Sequence, residues 1–266
     1  MTRSVRQIII ENLRFAKPRR ETGRSPGKEF RWKVEAGCIW AVTGGSEAGR
    51  TQLLRILAGL EPPAGGKILV SYGDGGPVQG LSESGTAVAY LPPPGDEAFT
   101  GTTVEEELLF YAAGKDTLAE RLDWIKENFG FDFRTSPGRS VWELSESQRR
   151  CLLFSSQAVA LPAVWVCDQP LAVLDSRRSS AAADLFRNEA KRGAAVILAL
   201  KEAEQVLDLA QNVLIIGERR EVIYQGRTSS VPPEVAVGLG WNPGLHKAAQ
   251  MVGKGYDIKS LPDIPG

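Results

Sequence analysis

The feature of this sequence that most constrains its fold is a set of short apolar runs that alternate with segments of helical periodicity. A run of about four to eight residues that is apolar throughout is typical of a strand covered on both faces, and such strands joined by helices form a mainly parallel sheet. The sequence therefore predicts an α/β fold. The predicted strands are residues 38–42, 163–167, 195–200 and 213–216, and the predicted helices include 51–58, 180–191 and 202–209.

The turn after the first predicted strand matches the phosphate-binding loop. Glycines in such a loop let backbone N–H groups converge on phosphate oxygens, and the N-terminus of the following helix adds partial positive charge. Thr51 provides a hydroxyl suited to magnesium, but Arg50 stands where the pattern has lysine, and a planar guanidinium is bulkier than an ammonium group. We therefore predict phosphate binding with a weakened contact to a γ-phosphate. The loop residues are Gly44, Gly45, Ser46, Glu47, Ala48, Gly49, Arg50, Thr51 and Gln52.

The middle of the chain changes to mainly helical periodicity. Thr103 and Glu106 form a capping-box pattern, and Ser145 and Gln148 form another, so each pair predicts the start of a helix. The predicted organisation is one domain of residues 1–232, with its core in 1–92 and 155–232 and a helical subdomain in 93–154, followed by a helical extension in 233–266.

The order of these motifs along the chain resembles the nucleotide-binding domain of ABC transporters. The phosphate loop and the helical segment are followed by LSESQRR at 144–150, by an apolar strand that ends in Asp168, and by Leu174 and Asp175. The resemblance extends over roughly residues 7–230. It implies the P-loop NTPase (RecA-like) fold, with a mainly parallel sheet, an antiparallel N-terminal β subdomain and an inserted helical subdomain.

Some details are similar to the ATPase subunits of the energy-coupling-factor importers. These are the segment TVEEEL at 103–108, the paired arginines that follow Gln148, and the tail that begins at Gly238. The resemblance implies ATP and Mg²⁺ as ligands, with the metal held by Thr51 and Asp168.

The resemblance also implies two kinds of protein partner. In the family, two nucleotide-binding domains face each other head to tail, and the signature motif of one completes the site of the other. Here that role falls on Ser145, Glu146, Ser147 and Gln148, where Ser145 and the helix N-terminus donate to a γ-phosphate while Glu146 adds a negative charge. The expected partners are a second ABC ATPase subunit, identical or different, and a membrane transport subunit that holds the chain on the inner face of the cell membrane.

The sequence departs from the family pattern at positions that matter for hydrolysis. Gln169 replaces the glutamate that polarises the attacking water, and Lys201 replaces a histidine. Pro93 replaces the glutamine that senses the γ-phosphate, Lys17 replaces the aromatic residue that stacks on adenine, and Arg50 replaces the lysine. Loss of a positioned base alone lowers the rate about 10² to 10⁴-fold. We therefore expect weakened nucleotide binding and impaired or absent catalysis, with Gln169 and Lys201 as the degenerate catalytic positions.

Charge and composition narrow the other possibilities. The chain has 32 Lys and Arg and 32 Asp and Glu residues, so its charge does not support a nucleic-acid partner. The apolar run 194–200 is far shorter than the roughly 18 to 20 residues of a membrane span, and the start of the chain lacks the apolar core of a signal peptide, so a cytoplasmic location is expected. His246 is the only histidine, which excludes a histidine-cluster metal site.

These observations predict a degenerate ATP-binding subunit of an energy-coupling-factor-like ABC transporter that pairs with a hydrolysis-competent ATPase subunit. Two alternatives stay open. One is a slow homodimeric transport ATPase, in which the positive charges of Arg50 and Lys201 replace the missing groups. The other is a regulatory or interaction protein that keeps the fold and no longer handles nucleotide.

Overall fold

A computed structural model describes residues 5–14, 29–45, 47–73, 79–81, 84–111, 122–123, 125–135 and 137–241. The strands are β1 (Val5–Arg14), β2 (Phe30–Glu35), β3 (Ile39–Gly44), β4 (Gly65–Tyr72), β5 (Gln79–Gly80), β6 (Val88–Leu91), β7 (Val164–Asp168), β8 (Ala195–Ala199), β9 (Asn212–Ile216) and β10 (Val222–Arg227). The helices are α1 (Arg50–Leu57), α2 (Val104–Tyr111), α3 (Glu146–Val159), α4 (Ser176–Lys191), α5 (Ala203–Leu209) and α6 (Pro233–Gly238). The predictions for Lys17, Ser46 and His246 lie outside the described residues.

The larger sheet is mainly parallel, in the order β10-β9-β3-β8-β7-β6. Only β10 is antiparallel to its neighbour. Every residue of β7 and β8 is buried, because both faces of the sheet are covered, and this explains why these strands are continuous apolar runs in the sequence. The predicted parallel α/β sheet is confirmed, and the predicted strands correspond to β3, β7, β8 and β9 with ends that differ by one or two residues.

The smaller sheet is antiparallel, in the order β2-β1-β4-β5. Buried and exposed residues alternate along β2, so Phe30, Trp32 and Val34 point to one face. That face packs against the larger sheet in a core that also contains Ile8 and Val42. The antiparallel N-terminal β subdomain is confirmed.

A second core lies on the other face of the larger sheet and positions the helices. A row of aromatic rings crosses it from Trp165 in β7 to Phe186 in α4, Phe154 in α3 and Phe129, with neighbouring ring centroids 5.7–5.8 Å apart. All four side chains are buried. Because Phe154 is held between Phe186 and Phe129, the row fixes α3 relative to the sheet, and the N-terminus of α3 carries the predicted signature motif.

Local capping explains where two helices begin. Glu106 N donates to Thr103 Oγ1 at 3.2 Å at the start of α2, and Ser145 N donates to Gln148 Oε1 at 3.0 Å at the start of α3. Both predicted capping boxes are therefore confirmed. Helix α3 continues to Val159, beyond the proposed subdomain limit at residue 154, and the domain limits stay a prediction.

Helix α4 begins earlier than its periodicity indicates. It starts at Ser176 instead of residue 180, because the Asp175 carboxylate accepts a hydrogen bond from Arg178 N at 2.9 Å and caps the helix.

Of the predicted C-terminal extension, only residues 233–241 are described, and they contain α6. Among the described residues, no helix combines the length and apolarity needed to traverse a bilayer.

Candidate functional site

The predicted phosphate loop joins the end of β3 to the start of α1. Gly44 has a φ of 143°, and a Cβ there would lie 2.0 Å from the carbonyl oxygen of Ile216, so only glycine fits between β3 and β9. Gly49, with a φ of 81°, is the N-cap of α1. Ala48 is fully buried between the two sheets and anchors the loop from beneath. The described part of the loop therefore has the backbone of a phosphate cradle.

Thr51 and Asp168 come together at the edge of this cradle. Thr51 Oγ1 donates to Asp168 Oδ2 at 2.5 Å, although 117 residues separate them. Asp168 is buried at the carboxyl end of β7. No cluster of three or more His, Cys, Asp or Glu side chains occurs in the part of the chain that the structure describes. A hydroxyl and one carboxylate suit Mg²⁺, which keeps several waters and takes its remaining ligands from substrate phosphates.

Arg50, at the position of the phosphate-loop lysine, makes a hydrogen bond to the end of a neighbouring strand. Its Nη1 donates to the carbonyl oxygen of Leu200, just beyond the end of β8, at 3.3 Å. Burial lowers the pKa of Arg50, and the Asp168 carboxylate raises it. The guanidinium stays charged, because the ordinary pKa of arginine is far above neutrality. The positive charge of the loop's own arginine is therefore tied to the end of β8.

A cavity of about 510 Å³ opens beside the cradle. Its wall contains most of the predicted site. Glu47, Arg50 and Gln52 of the loop line it. Thr51 and Asp168, which we call the magnesium pair, also line it, and so do the two predicted degenerate catalytic positions. Residues that were predicted from separate parts of the sequence therefore share one cavity, whose key members are Thr51, Asp168, Gln169 and Lys201.

Gln169 and Lys201 differ in how firmly they are held. Gln169 has a left-handed φ of 48°, and its N–H donates to the carbonyl oxygen of Ala199 at 3.0 Å. Its side chain is a neutral amide that cannot accept a proton at ordinary pH. Lys201 is exposed at the rim. At the two predicted catalytic positions, the cavity wall thus has an amide and an amino group.

The predicted signature residues lie away from this cavity, at the N-terminus of α3. Ser145 and Glu146 are exposed, while Gln148 completes the capping box. The Ser145 hydroxyl oxygen accepts from Gln148 N at 3.3 Å, which leaves the hydroxyl hydrogen to donate elsewhere. Ser147 Oγ is buried with no hydrogen-bond partner among the described residues. The predicted site residues therefore lie on two separate surfaces, the cavity and the N-terminus of α3.

Arg150 joins these surfaces, and the sequence indicated it only as one of two paired arginines. Its fully buried guanidinium donates to four carbonyl oxygens, those of Pro92, Asp168, Gln169 and Pro170. Burial lowers the pKa of Arg150. One side chain of the signature helix α3 thus positions both residues 92–94, which we call the proline loop, and the end of β7.

Arg220 is one of three cavity residues that the sequence did not reveal, with Arg55 and Glu61. It lies in the turn between β9 and β10, and it reaches the cavity wall, where its Nη1 donates to Gln52 Oε1 at 3.2 Å. No local sequence pattern marks this residue, because its position depends on how the turn packs on the phosphate loop.

Comparisons with known proteins agree with this geometry. Residues 28–172 match the protein family described as ABC transporter. The chain is 27% identical over 206 residues to the methionine import ATP-binding protein MetN of Latilactobacillus sakei subsp. sakei, covering 75% of this chain and 59% of that protein. It is 23% identical over 265 residues to the energy-coupling factor transporter ATP-binding protein EcfA2 of Clostridium perfringens, covering 94% of this chain and 92% of that protein.

A solved structure described as the ATP binding subunit of an ABC transporter has the same fold. Its TM-score is 0.72 at 17% identity, and the match covers 91% of this chain and 99% of that chain. The chain spans about three fifths of the methionine import protein but nearly the whole of the other two.

Proposed function

The chain belongs to the ABC transporter family, and from that premise we propose that it is an ATP-binding subunit that does not hydrolyse nucleotide at its own site and pairs with a subunit that does. The observation that carries this proposal is the neutral side chain of Gln169 in the cavity wall beside Asp168, where a proton acceptor is needed. The position of Arg50, bound to the carbonyl oxygen of Leu200, supports it further.

The residues present fit one end of a magnesium-bound nucleotide better than the other. The cradle backbone, Thr51 and Asp168 suit the inner phosphates and the metal, which neutralises phosphate charge when it is bound. The outer end has Gln169 and Lys201, which can hydrogen-bond or attract an anion but cannot remove a proton from water at neutral pH. Phosphoryl transfer depends on positioning and electrostatics, so this arrangement favours binding without turnover.

The N-terminus of α3 with Ser145 and Glu146, which we call the signature surface, would contact nucleotide bound to a partner subunit. Ser145 is exposed, its hydroxyl can donate, and it stands at the positive end of α3. Such a group is suited to a phosphate bound on a second ATPase subunit. Glu146 weakens this contact by its charge but leaves the hydroxyl donor in place.

We place the complex in a transporter of the energy-coupling-factor kind, with the chain peripheral on the cytoplasmic side of a membrane subunit. The similarity to EcfA2 over 94% of this chain supports this assignment. The side chain of Trp142 is 64% exposed and stacks edge-on against Phe99, with ring centroids 5.7 Å apart. This apolar surface beside the signature helix suits contact with a membrane subunit.

The proposal is tested by measuring binding and turnover separately. Calorimetric titration of the purified chain with ATP and Mg²⁺ is expected to give heat, while phosphate release stays at background. In the triple variant Arg50→Lys, Gln169→Glu and Lys201→His, the restored base is expected to raise turnover at least ~10²-fold. Turnover of the unmodified chain at a rate that Asp168→Asn abolishes would contradict the proposal and favour a homodimeric ATPase. Absence of heat would favour a protein that no longer handles nucleotide.

A further inference from the structure

We propose that Arg220, in the turn between β9 and β10, binds a phosphate of the nucleotide and supplies the cation that Arg50 does not. This inference rests on the proposed nucleotide-binding function and deepens it by assigning a ligand residue outside the phosphate loop. The site would take nucleoside diphosphates and triphosphates, because Arg220 lies against Gly49 and Gln52 at the N-terminus of α1.

The side chain of Arg220 lies on the last glycine of the loop. A Cβ on Gly49 would be 3.4 Å from Arg220 Nε and 3.6 Å from its Cδ, so the arginine covers this glycine. Nη1 donates to Gln52 Oε1 at 3.2 Å in the first turn of α1. The guanidinium therefore stands beside the helix N-terminus, whose N–H groups attract phosphate. This hydrogen bond orients the guanidinium toward the first turn of α1.

The turn that carries Arg220 is fixed to the loop at several points. Strand β9 pairs with β3, and Ile216 lies opposite Gly44 at the base of the loop. Within the turn, Arg220 N donates to the carbonyl oxygen of Gly217 at 2.9 Å. Glu218 packs against the other end of the loop, with its Cγ 3.4 Å from where a Cβ on Gly45 would be. The geometry of the guanidinium is thus set by sheet pairing.

The backbone at Arg220 is strained in a way that glycine would avoid. Its φ is 61°, in the left-handed region that costs an L-residue with a side chain more than glycine. Strained residues of this kind cluster at functional sites, where the side chain is needed. Here the arginine side chain reaches the cavity wall that also contains Thr51 and Asp168.

Arg50 leaves the role of phosphate-binding cation to another residue. Its Nη1 contacts the carbonyl oxygen of Leu200, just beyond β8, whereas the β9–β10 turn packs on the loop glycines, and β8 and β9 flank β3 on opposite sides in the sheet. An arginine fork forms two hydrogen bonds to phosphate where its direction is right. Arg220 reaches the start of α1 from the β9 side of the sheet, whereas Arg50 extends to the β8 side.

The test compares two neighbouring arginines of the same turn by calorimetric titration with MgADP and MgATP. Arg220→Gln is expected to weaken both affinities roughly tenfold, because one charge-assisted contact is lost. Arg219→Gln is the matched control: Arg219 is exposed, it is not among the residues that line the cavity, and the charge change is identical. Its affinities are expected to stay within about twofold of the unmodified chain, since screened surface charges contribute little.

A second variant separates binding from folding. Arg220→Gly removes the side chain and relieves the left-handed strain, so the Tm without nucleotide is expected to equal or exceed that of the unmodified chain, while the nucleotide-induced rise in Tm becomes smaller. Equal affinities for Arg220→Gln and Arg219→Gln, or an undiminished nucleotide-induced rise for Arg220→Gly, would overturn this inference and leave the proposed function standing. Absence of binding by the unmodified chain would overturn both.

Discussion

Replacement of Arg150 by methionine is expected to lower the free energy of unfolding by about 2–4 kcal/mol. The guanidinium donates to four carbonyl oxygens, and charge-assisted hydrogen bonds contribute at least about 1.5 kcal/mol each, or roughly 6 kcal/mol together. Burial of the charge costs several kcal/mol, which the variant no longer incurs. Methionine keeps the length and the apolar packing of the side chain, so the difference isolates the guanidinium.

Urea unfolding measures this loss through the transition midpoint at a constant slope. The matched control is Arg149→Met, because the half-buried Arg149 donates one hydrogen bond at 2.8 Å, to the carbonyl oxygen of Leu144. Its loss is expected to be about 1 kcal/mol or less. If the two variants agree within about 0.5 kcal/mol, the buried guanidinium does not organise the proline loop and the strand end, and the reasoning is refuted.

Three further outcomes follow from the site and its surroundings. In the assembled complex, Ser145→Asp keeps a helix-capping oxygen but adds a negative charge, so ATP turnover is expected to fall at least ~10-fold. The control Thr103→Asp, at the α2 cap, is expected to leave turnover unchanged. Equal effects of the two variants would contradict a role of Ser145 at the partner's site. Asp168→Asn is expected to remove the gain in nucleotide affinity that Mg²⁺ produces, measured by titration with and without chelator, and a retained gain would exclude Asp168 as a metal ligand. Burial raises the pKa of Cys151 to about 12, so its alkylation at pH 8 is expected to be at least ~10-fold slower than that of the half-buried Cys38. The two rates are measured by peptide mass analysis. Equal rates would contradict the packing of α3.

Under the proposed function, this chain binds nucleotide but does not hydrolyse it. The magnesium pair and the loop backbone depend on small, conformationally specific residues, and these are present in Gly44, Gly49 and Thr51. Hydrolysis depends on ionisable side chains, and under the proposed function Gln169 and Lys201 in the cavity wall alter the chemistry without changing the fold. Under the proposed function, the subunit retains a nucleotide-dependent interface although its own site has no turnover.

Local features of the sequence determined the elements and much of the site. The strands could be predicted because burial on both faces leaves a continuous apolar run, as in β7. The starts of α2 and α3 could be predicted because a capping box involves only neighbours, such as Ser145 and Gln148. Thr51 and Asp168 could be predicted as site residues because each directly follows a recognisable strand or turn; the structure brings them within 2.5 Å, and their role as metal ligands stays a prediction.

Only the tertiary structure decided where the arginines act. Arg50 contacts Leu200, Arg150 contacts Pro92, and Arg220 contacts Gln52, across sequence separations of 150, 58 and 168 residues. A long, flexible, charged side chain has no periodicity that reveals its target, and each target here is a carbonyl or amide oxygen that any sequence could provide. These contacts therefore follow from how strands and turns pack together, whereas the strands and the phosphate cradle follow from short-range pattern alone.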